Sequence, residues 1–200
     1  LGWNDGTDQE IFSMAELIEK FSIDRVHKGG AKFDYEKAKW FNQEWIKKST
    51  SEKLLPYVVS QLTKLTIEVD EEKLLSIITL VKDRCQLLND FIPQIIYFFK
   101  DPETIDTASI QTKWDENKST FFKDWISNLE EITSWDALSI ETHFKEKATA
   151  SGIKTGELQL PFRIMLVGAK FGPTVFEIAA IIGKESTIRR INHVLKMLQQ

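Results

Sequence analysis

Near its C-terminal end the chain sets an arginine among apolar residues, Leu160-Pro161-Phe162-Arg163. A glycine-proline turn follows, Lys170-Phe171-Gly172-Pro173-Thr174-Val175. Arginine can stack on an unpaired nucleobase or hydrogen-bond its edge, and backbone groups at a tight turn can read further edges. The spacing predicts that Leu160-Pro161-Phe162-Arg163 opens a helix ending at Gly168. Pro173 then opens the next, in a first turn where its missing N–H costs nothing. Gly183-Lys184-Glu185 separates that helix from a final basic one carrying Arg189, Arg190 and Lys196. Two helix starts, a Gly-Pro turn and nearby arginines describe a surface able to hold unpaired bases. The same pattern also permits Arg163 to act only as a cap or an ion-pair partner.

Elsewhere the reactive residue types do not assemble. His27, His143 and His193 have no second His or Cys at ligand spacing, so no metal site is expected. Lys28-Gly29-Gly30-Ala31-Lys32 looks superficially like a phosphate loop. It lacks the Walker spacing and its terminal Lys-Ser/Thr, which leaves a basic turn suited to a nucleic-acid backbone or to solvent. Cys85, the single cysteine, falls on an apolar stripe and reads as a small buried hydrophobe. The acid pairs Glu71-Glu72 and Glu130-Glu131 sit where solvated helix faces are normal. There is no catalytic constellation.

The elements that must position these residues read as helices. Ser13 with Glu16 forms a capping-box pattern ahead of Leu17, Ile18 and Phe21. Asp34 is an N-cap for a helix with Ala38, Phe41, Trp45 and Ile46 on one face and Lys37, Lys39, Lys47 and Lys48 on the other. Residues 51–100 read as three or four helices, with Pro56 and Pro93 marking early turns or breaks. Asp70-Glu71-Glu72 places acid at a helix start, and Leu74, Leu75, Ile78, Val81, Cys85 and Leu88 recur at helical steps behind it. Lys100 to Lys113 is the best linker, with at most an extended Ile105 to Ile110. Helical stretches follow at about 115–130, 134–150, 155–167 and 173–199, the last broken at Gly183. Six Trp and thirteen Phe supply bulk for two helical cores. The fold class expected is all-α.

Charge adds a polarity. The 200 residues carry 26 Lys+Arg and 30 Asp+Glu, a net −4 that argues against a generic nucleic-acid binder. From Ser151 onward, however, seven Lys/Arg face three Glu, a net +4, and the first 150 residues carry −8. No run reaches the ~18 apolar residues that a membrane span needs. One cysteine excludes a disulfide framework and fits a reducing, cytoplasmic setting. The opening at Leu1, followed at once by Trp3, reads as a piece of a longer polypeptide.

Two blocks of residues resemble a known family. Leu1-Gly2-Trp3-Asn4, Glu10-Ile11-Phe12, Phe21, Lys28-Gly29-Gly30-Ala31-Lys32-Phe33-Asp34, Lys37, Trp40 and Asn42 resemble the region just after the catalytic core of bacterial glutamyl-tRNA synthetases. Leu160-Pro161-Phe162-Arg163, Gly168, Gly172-Pro173, Phe176-Glu177, Gly183-Lys184-Glu185 and Arg189-Arg190 resemble that family's closing signature. The middle, about 50–150, resembles it only around Lys82-Asp83-Arg84.

The resemblance implies the end of a stem-contact region over 1–49, then helical anticodon-binding subdomains over 50–104 and 105–200. It implies a parent that joins glutamate to tRNA(Glu) with ATP and Mg²⁺. This chain would lack the family's two ATP-binding signatures, need no cofactor of its own and act as a monomer. By position in the motifs, Arg84 would help read the third anticodon base, and Arg163, with Leu160 and Phe162 beside it, would contact the splayed anticodon. Pro173 and Val175 would lie in the backbone-and-apolar contact region, and Lys28 and Lys32 would be phosphate contacts. Where some members carry an aromatic, this chain has Leu160, so stacking there is weaker. The competing reading is an all-α protein-interaction domain using Trp114, Phe121, Phe122 and Trp125. Four-residue spacing instead suggests a core for these.

Overall fold

The computed structural model describes residues 2–199 apart from Lys28 and Ala31, and no strand occurs among them. The helices are α1 (Met14–Lys20), α2 (Tyr35–Lys48), α3 (Ser51–Lys64), α4 (Glu71–Val81), α5 (Phe91–Ile95), α6 (Ala108–Gln111), α7 (Glu116–Ser127), α8 (Ala137–Ala150), α9 (Thr155–Val167), α10 (Val175–Ile182) and α11 (Lys184–Leu198). Short 3₁₀ turns join several of them. The all-α expectation holds. Among these described helices, none is long and apolar enough to cross a membrane.

Local chemistry sets the helix starts. Ser13 and Glu16 close a reciprocal capping box on α1, and Asp34, Asp70, Asp115 and Asp136 each accept a backbone N–H three residues on. Each carboxylate satisfies an otherwise orphaned donor and lies against the positive end of the helix dipole. Prolines prove less disruptive than their positions suggest. Pro56 and Pro161 both lie inside helices. Pro161 forgoes only the bond to the Glu157 carbonyl, and its ring is buried where packing holds the helix together.

The helices fall into two groups. In the first, α3, α4 and α5 pack on one another; in the second, α8 and α9 pack on α10, α9 also on α11, and α7 on α8 and α11. Their buried side chains form one connected core from Ile46 to Leu195. A cluster of rings dominates the second group, with Phe162 stacked on Phe144 at 5.2 Å and edge-on to Trp125 at 5.1 Å. Trp125 donates its indole N–H to Nδ1 of His143, whose Nε2 meets Glu131, so this histidine is structural.

Two devices fix the groups to each other. The first is Arg190, which is 5% exposed. Its guanidinium donates to the carbonyls of Leu166 (2.6 Å), Tyr97 (2.8 Å) and Lys100 (3.1 Å) and to Asp101 Oδ1 (2.8 Å). Arg189 grips the same carboxylate from outside at 2.7 and 2.8 Å. Hydrogen bonds from Arg189 first, and from Arg190, hold the Asp101 carboxyl well below the usual carboxylate range.

The second device is Gly168, which ends α9 at φ +77° and donates to the Ile164 carbonyl. Its own carbonyl accepts from the Asp106 N–H at 2.9 Å. A Cβ there would stand 2.3 Å from the Thr104 carbonyl oxygen, so only glycine fits. The Lys100–Lys113 stretch is therefore not a free linker. It docks on Gly168, buries Ile110 and winds into α6.

Candidate nucleic-acid interface

Helix α9 decides what the Leu160-Pro161-Phe162-Arg163 segment can present. The helix begins at Thr155, so these residues sit in its middle and not at its start. Leu158, Pro161, Phe162, Met165 and Leu166 face the core, while Leu160 and Arg163, three apart, share the opposite edge. Leu160 is 37% exposed and Phe162 fully buried. Phe162 thus supports the site from beneath; in this arrangement its ring is sealed from solvent by Phe122, Phe144 and Trp125.

The turn after α9 carries the other half of the surface. Phe171 is 79% exposed, whereas Gly172, Pro173 and Val175 are buried. Pro173 precedes the N-cap of α10 and is not its first residue; the cap is Thr174, which accepts from the Glu177 N–H and donates to Oε2 of Glu177. What Pro173 offers is its carbonyl, which receives Nη1 of Arg163. Gly172 adopts φ +147° and leaves room between two polar groups. A Cβ on it would lie 3.2 Å from Arg163 Nη1 and 3.4 Å from the Tyr97 hydroxyl.

Arg84 belongs to the other helix group. It closes the 3₁₀ turn Lys82–Arg84, which is clamped to α2. Lys82 Nζ donates to the Lys47 and Ser49 carbonyls at 3.0 and 2.9 Å, and Gln43 and Asn42 reach the carbonyls of Asp83 and Gln86. Arg84 is exposed. Burial, and then the like charge of Arg84, push the Arg163 guanidinium below its usual pKa. The charge of Arg84 is therefore felt at Arg163. Among the described residues, the arginines that pair with acids are Arg189 and Arg190, both on Asp101.

That last point corrects the sequence reading in one respect. Arg189 and Arg190 lie near the turn in sequence, but both pair with Asp101, Arg190 inside the molecule and Arg189 at its surface, so neither is free charge, unlike Arg84, Arg163 and the exposed Lys170. Lys32 is exposed at the far end of the chain, lining a hollow with Trp3, Phe12 and Phe41. Lys28 lies outside the described residues. The sequence names Phe171 only as part of the turn, with no contact role, and does not mark Tyr97. Phe171 was legible as an aromatic between Lys170 and Gly172, whereas Tyr97 sits in an unbroken apolar run and gave no signal.

Other candidates resolve to packing. Cys85 is fully buried, and burial, with Asp90 behind it, pushes its thiol up to about 12, which keeps it unreactive. Phe121, Phe122 and Trp125 are at most 2% exposed, and Trp114 packs against the same core. The protein-interaction reading loses the residues on which it stood. Among the described residues, no group of three or more His, Cys, Asp or Glu is arranged to hold a metal ion.

A family model for the anticodon binding domain matches residues 35–195. The glutamate–tRNA ligase of Flavobacterium johnsoniae is 40% identical over 198 residues, covering 99% of this chain and 39% of that protein. That of Christiangramia forsetii is 36% identical over 199 residues, with 100% and 39% covered. A crystal structure of a glutamate tRNA ligase from Elizabethkingia meningosepticum, in complex with its amino acid, matches with a TM-score of 0.91 at 35% identity, covering 99% of this chain and 39% of that one. The chain spans about two fifths of the length of the relatives it matches.

Proposed function

The chain belongs to the anticodon-binding domain family, and from that premise we propose that it is the tRNA-recognising part of a cytoplasmic, monomeric glutamate–tRNA ligase. The parent joins glutamate to tRNA(Glu) with ATP and Mg²⁺ handled outside this chain, which contributes recognition and no catalytic group. One observation carries the reading: the Arg163 guanidinium stands at the Gly172 turn, its Nη1 on the Pro173 carbonyl and no acid paired with it among the described residues, with the like charge of Arg84 acting on it. Unpaired anticodon bases are splayed and unstacked, and a guanidinium so placed can hydrogen-bond their edges or stack on their faces.

In this reading the remaining residues divide by exposure. Leu160 and Phe171 give the bases apolar contact, with Phe171 supplying the aromatic face that Leu160 lacks. Phe162, Pro173 and Val175 hold the surface from beneath. Residues 1–49, with Lys28 and Lys32, approach phosphates of the tRNA stem, and 50–104 and 105–200 share the anticodon. The acidic remainder limits non-specific attachment while the basic turn steers the anticodon arm.

Arg163→Ala, in the full-length protein, weakens binding of glutamate tRNA by about 1–3 kcal/mol and narrows the gap between the cognate anticodon and single-base variants. Filter binding against a set of anticodon-swapped tRNAs measures both. An unchanged preference among anticodons would remove Arg163 from the reading. Affinity also falls as salt rises, because phosphate contacts release counterions. Binding that ignores salt between 50 and roughly 200 mM would contradict the phosphate roles given to the lysines.

A further inference from the structure

The Tyr97 hydroxyl is buried beneath the surface just described and has no hydrogen-bond partner. The side chain is 6% exposed, at the end of the first helix group. A buried hydroxyl ordinarily finds a partner, since leaving one unmade costs more than the bond itself contributes. A phenylalanine, like Phe98 and Phe99 next to it, would fill the same space without that cost.

The hydroxyl's position gives it a use. It lies within 3.4 Å of the point where a Gly172 side chain would begin, and Arg163 Nη1 lies within 3.2 Å of that same point. Burial pushes the hydroxyl's pKa up, while the charges of Arg163 and Arg84 act against that rise. No protein acceptor takes the O–H proton, so it is available to an acceptor that enters beside the Arg163 guanidinium. In this structure Arg163 Nη1 donates to the Pro173 carbonyl, a bond that a ligand acceptor would exchange for one of its own.

We infer that Tyr97 is a specificity-determining residue: its hydroxyl donates to an acceptor atom on the edge of the unpaired base that Arg163 holds at the Gly172 turn. With no side chain at Gly172, nothing from that residue stands between the hydroxyl and Arg163 Nη1. The inference rests on the anticodon-binding reading and adds a group that neither the motifs nor the charge pattern indicated. Nucleobases differ in where they place carbonyl and ring-nitrogen acceptors, so a single fixed donor discriminates between them.

The test is Tyr97→Phe in the full-length protein, measured by filter binding to glutamate tRNA and to versions with each anticodon base replaced in turn, with Arg163→Ala alongside. The expected result is a loss of discrimination of about three- to tenfold at one anticodon position, the size of one hydrogen bond. The thermal midpoint should stay level or rise, because the hydroxyl has no protein partner to lose. Unchanged discrimination in Tyr97→Phe while Arg163→Ala loses it overturns the role of Tyr97 and leaves the reading intact. No change in either variant overturns the reading itself. An equal loss across all anticodons, or a lowered midpoint, shows a structural tyrosine and also overturns the inference.

Discussion

Replacing Arg190 by methionine lowers the stability of the protein by about 3–5 kcal/mol, the usual result of removing one member of a buried, hydrogen-bonded charge pair. Three carbonyls, those of Leu166, Tyr97 and Lys100, lose their donor at once. Asp101 keeps only the more exposed Arg189. Since whole domains are stable by only about 5–15 kcal/mol, the change is large. Urea denaturation measures it as a lower midpoint. Arg190→Lys recovers little, because a single ammonium cannot reproduce a planar fork serving four acceptors. A midpoint unchanged in Arg190→Met would show that the Arg190 knot does not hold the helix groups together.

The same knot sets an acid limit. Asp101 has its folded pKa depressed, mainly through Arg189. The stabilisation is complete above the ordinary aspartate pKa of about 3.9 and drains away as pH falls below it. In Asp101→Asn that part of the acid loss disappears, and comparison of the two pH–stability curves displays it.

Gly168→Ala is the second large effect. A left-handed residue with a side chain costs about 1–2 kcal/mol, and here the methyl group also meets the Thr104 carbonyl oxygen at 2.3 Å. Overpacking of this kind adds about 1–3 kcal/mol. The opposing atom is backbone, so relief requires the docked 102–106 segment to move, and the bond from the Asp106 N–H to the Gly168 carbonyl weakens. A melting temperature lowered by roughly 5–15 °C, together with faster hydrogen exchange at the Asp106 amide, is the expected signature. An alanine variant with native melting and native exchange at Asp106 would contradict it.

These two residues also show where reading the sequence stops. Helix starts at Asp34, Asp70 and the Ser13–Glu16 box were legible, because a cap is a local agreement between a side chain and the backbone three residues away. Cys85, Phe121 and Trp125 were legible as core from their spacing. The helical stretch read over 155–167 matches α9, but Pro161 made the Leu160–Arg163 motif look like a helix start, and tertiary packing is what carries the helix through it. Asp101 was invisible as the partner of Arg189 and Arg190, some 88 residues away. The basic helix therefore read as free charge. Tyr97 was hidden for the opposite reason. Nothing in an apolar run marks the hydroxyl that will be left without a partner.

The division of the arginines between helix groups has a consequence for when the protein can select its ligand. Arg84 and Tyr97 belong to the part of the chain made first, Arg163 and Gly172 to the part made last. A ribosome that has completed residue 150 has produced Arg84 and Tyr97 but neither Arg163 nor Gly172. On the proposed function, selectivity begins only once the final helices are in place. On the proposed function, a ligand that touches both helix groups then favours the folded, joined form by mass action, and the bound nucleic acid becomes part of what keeps the seam shut.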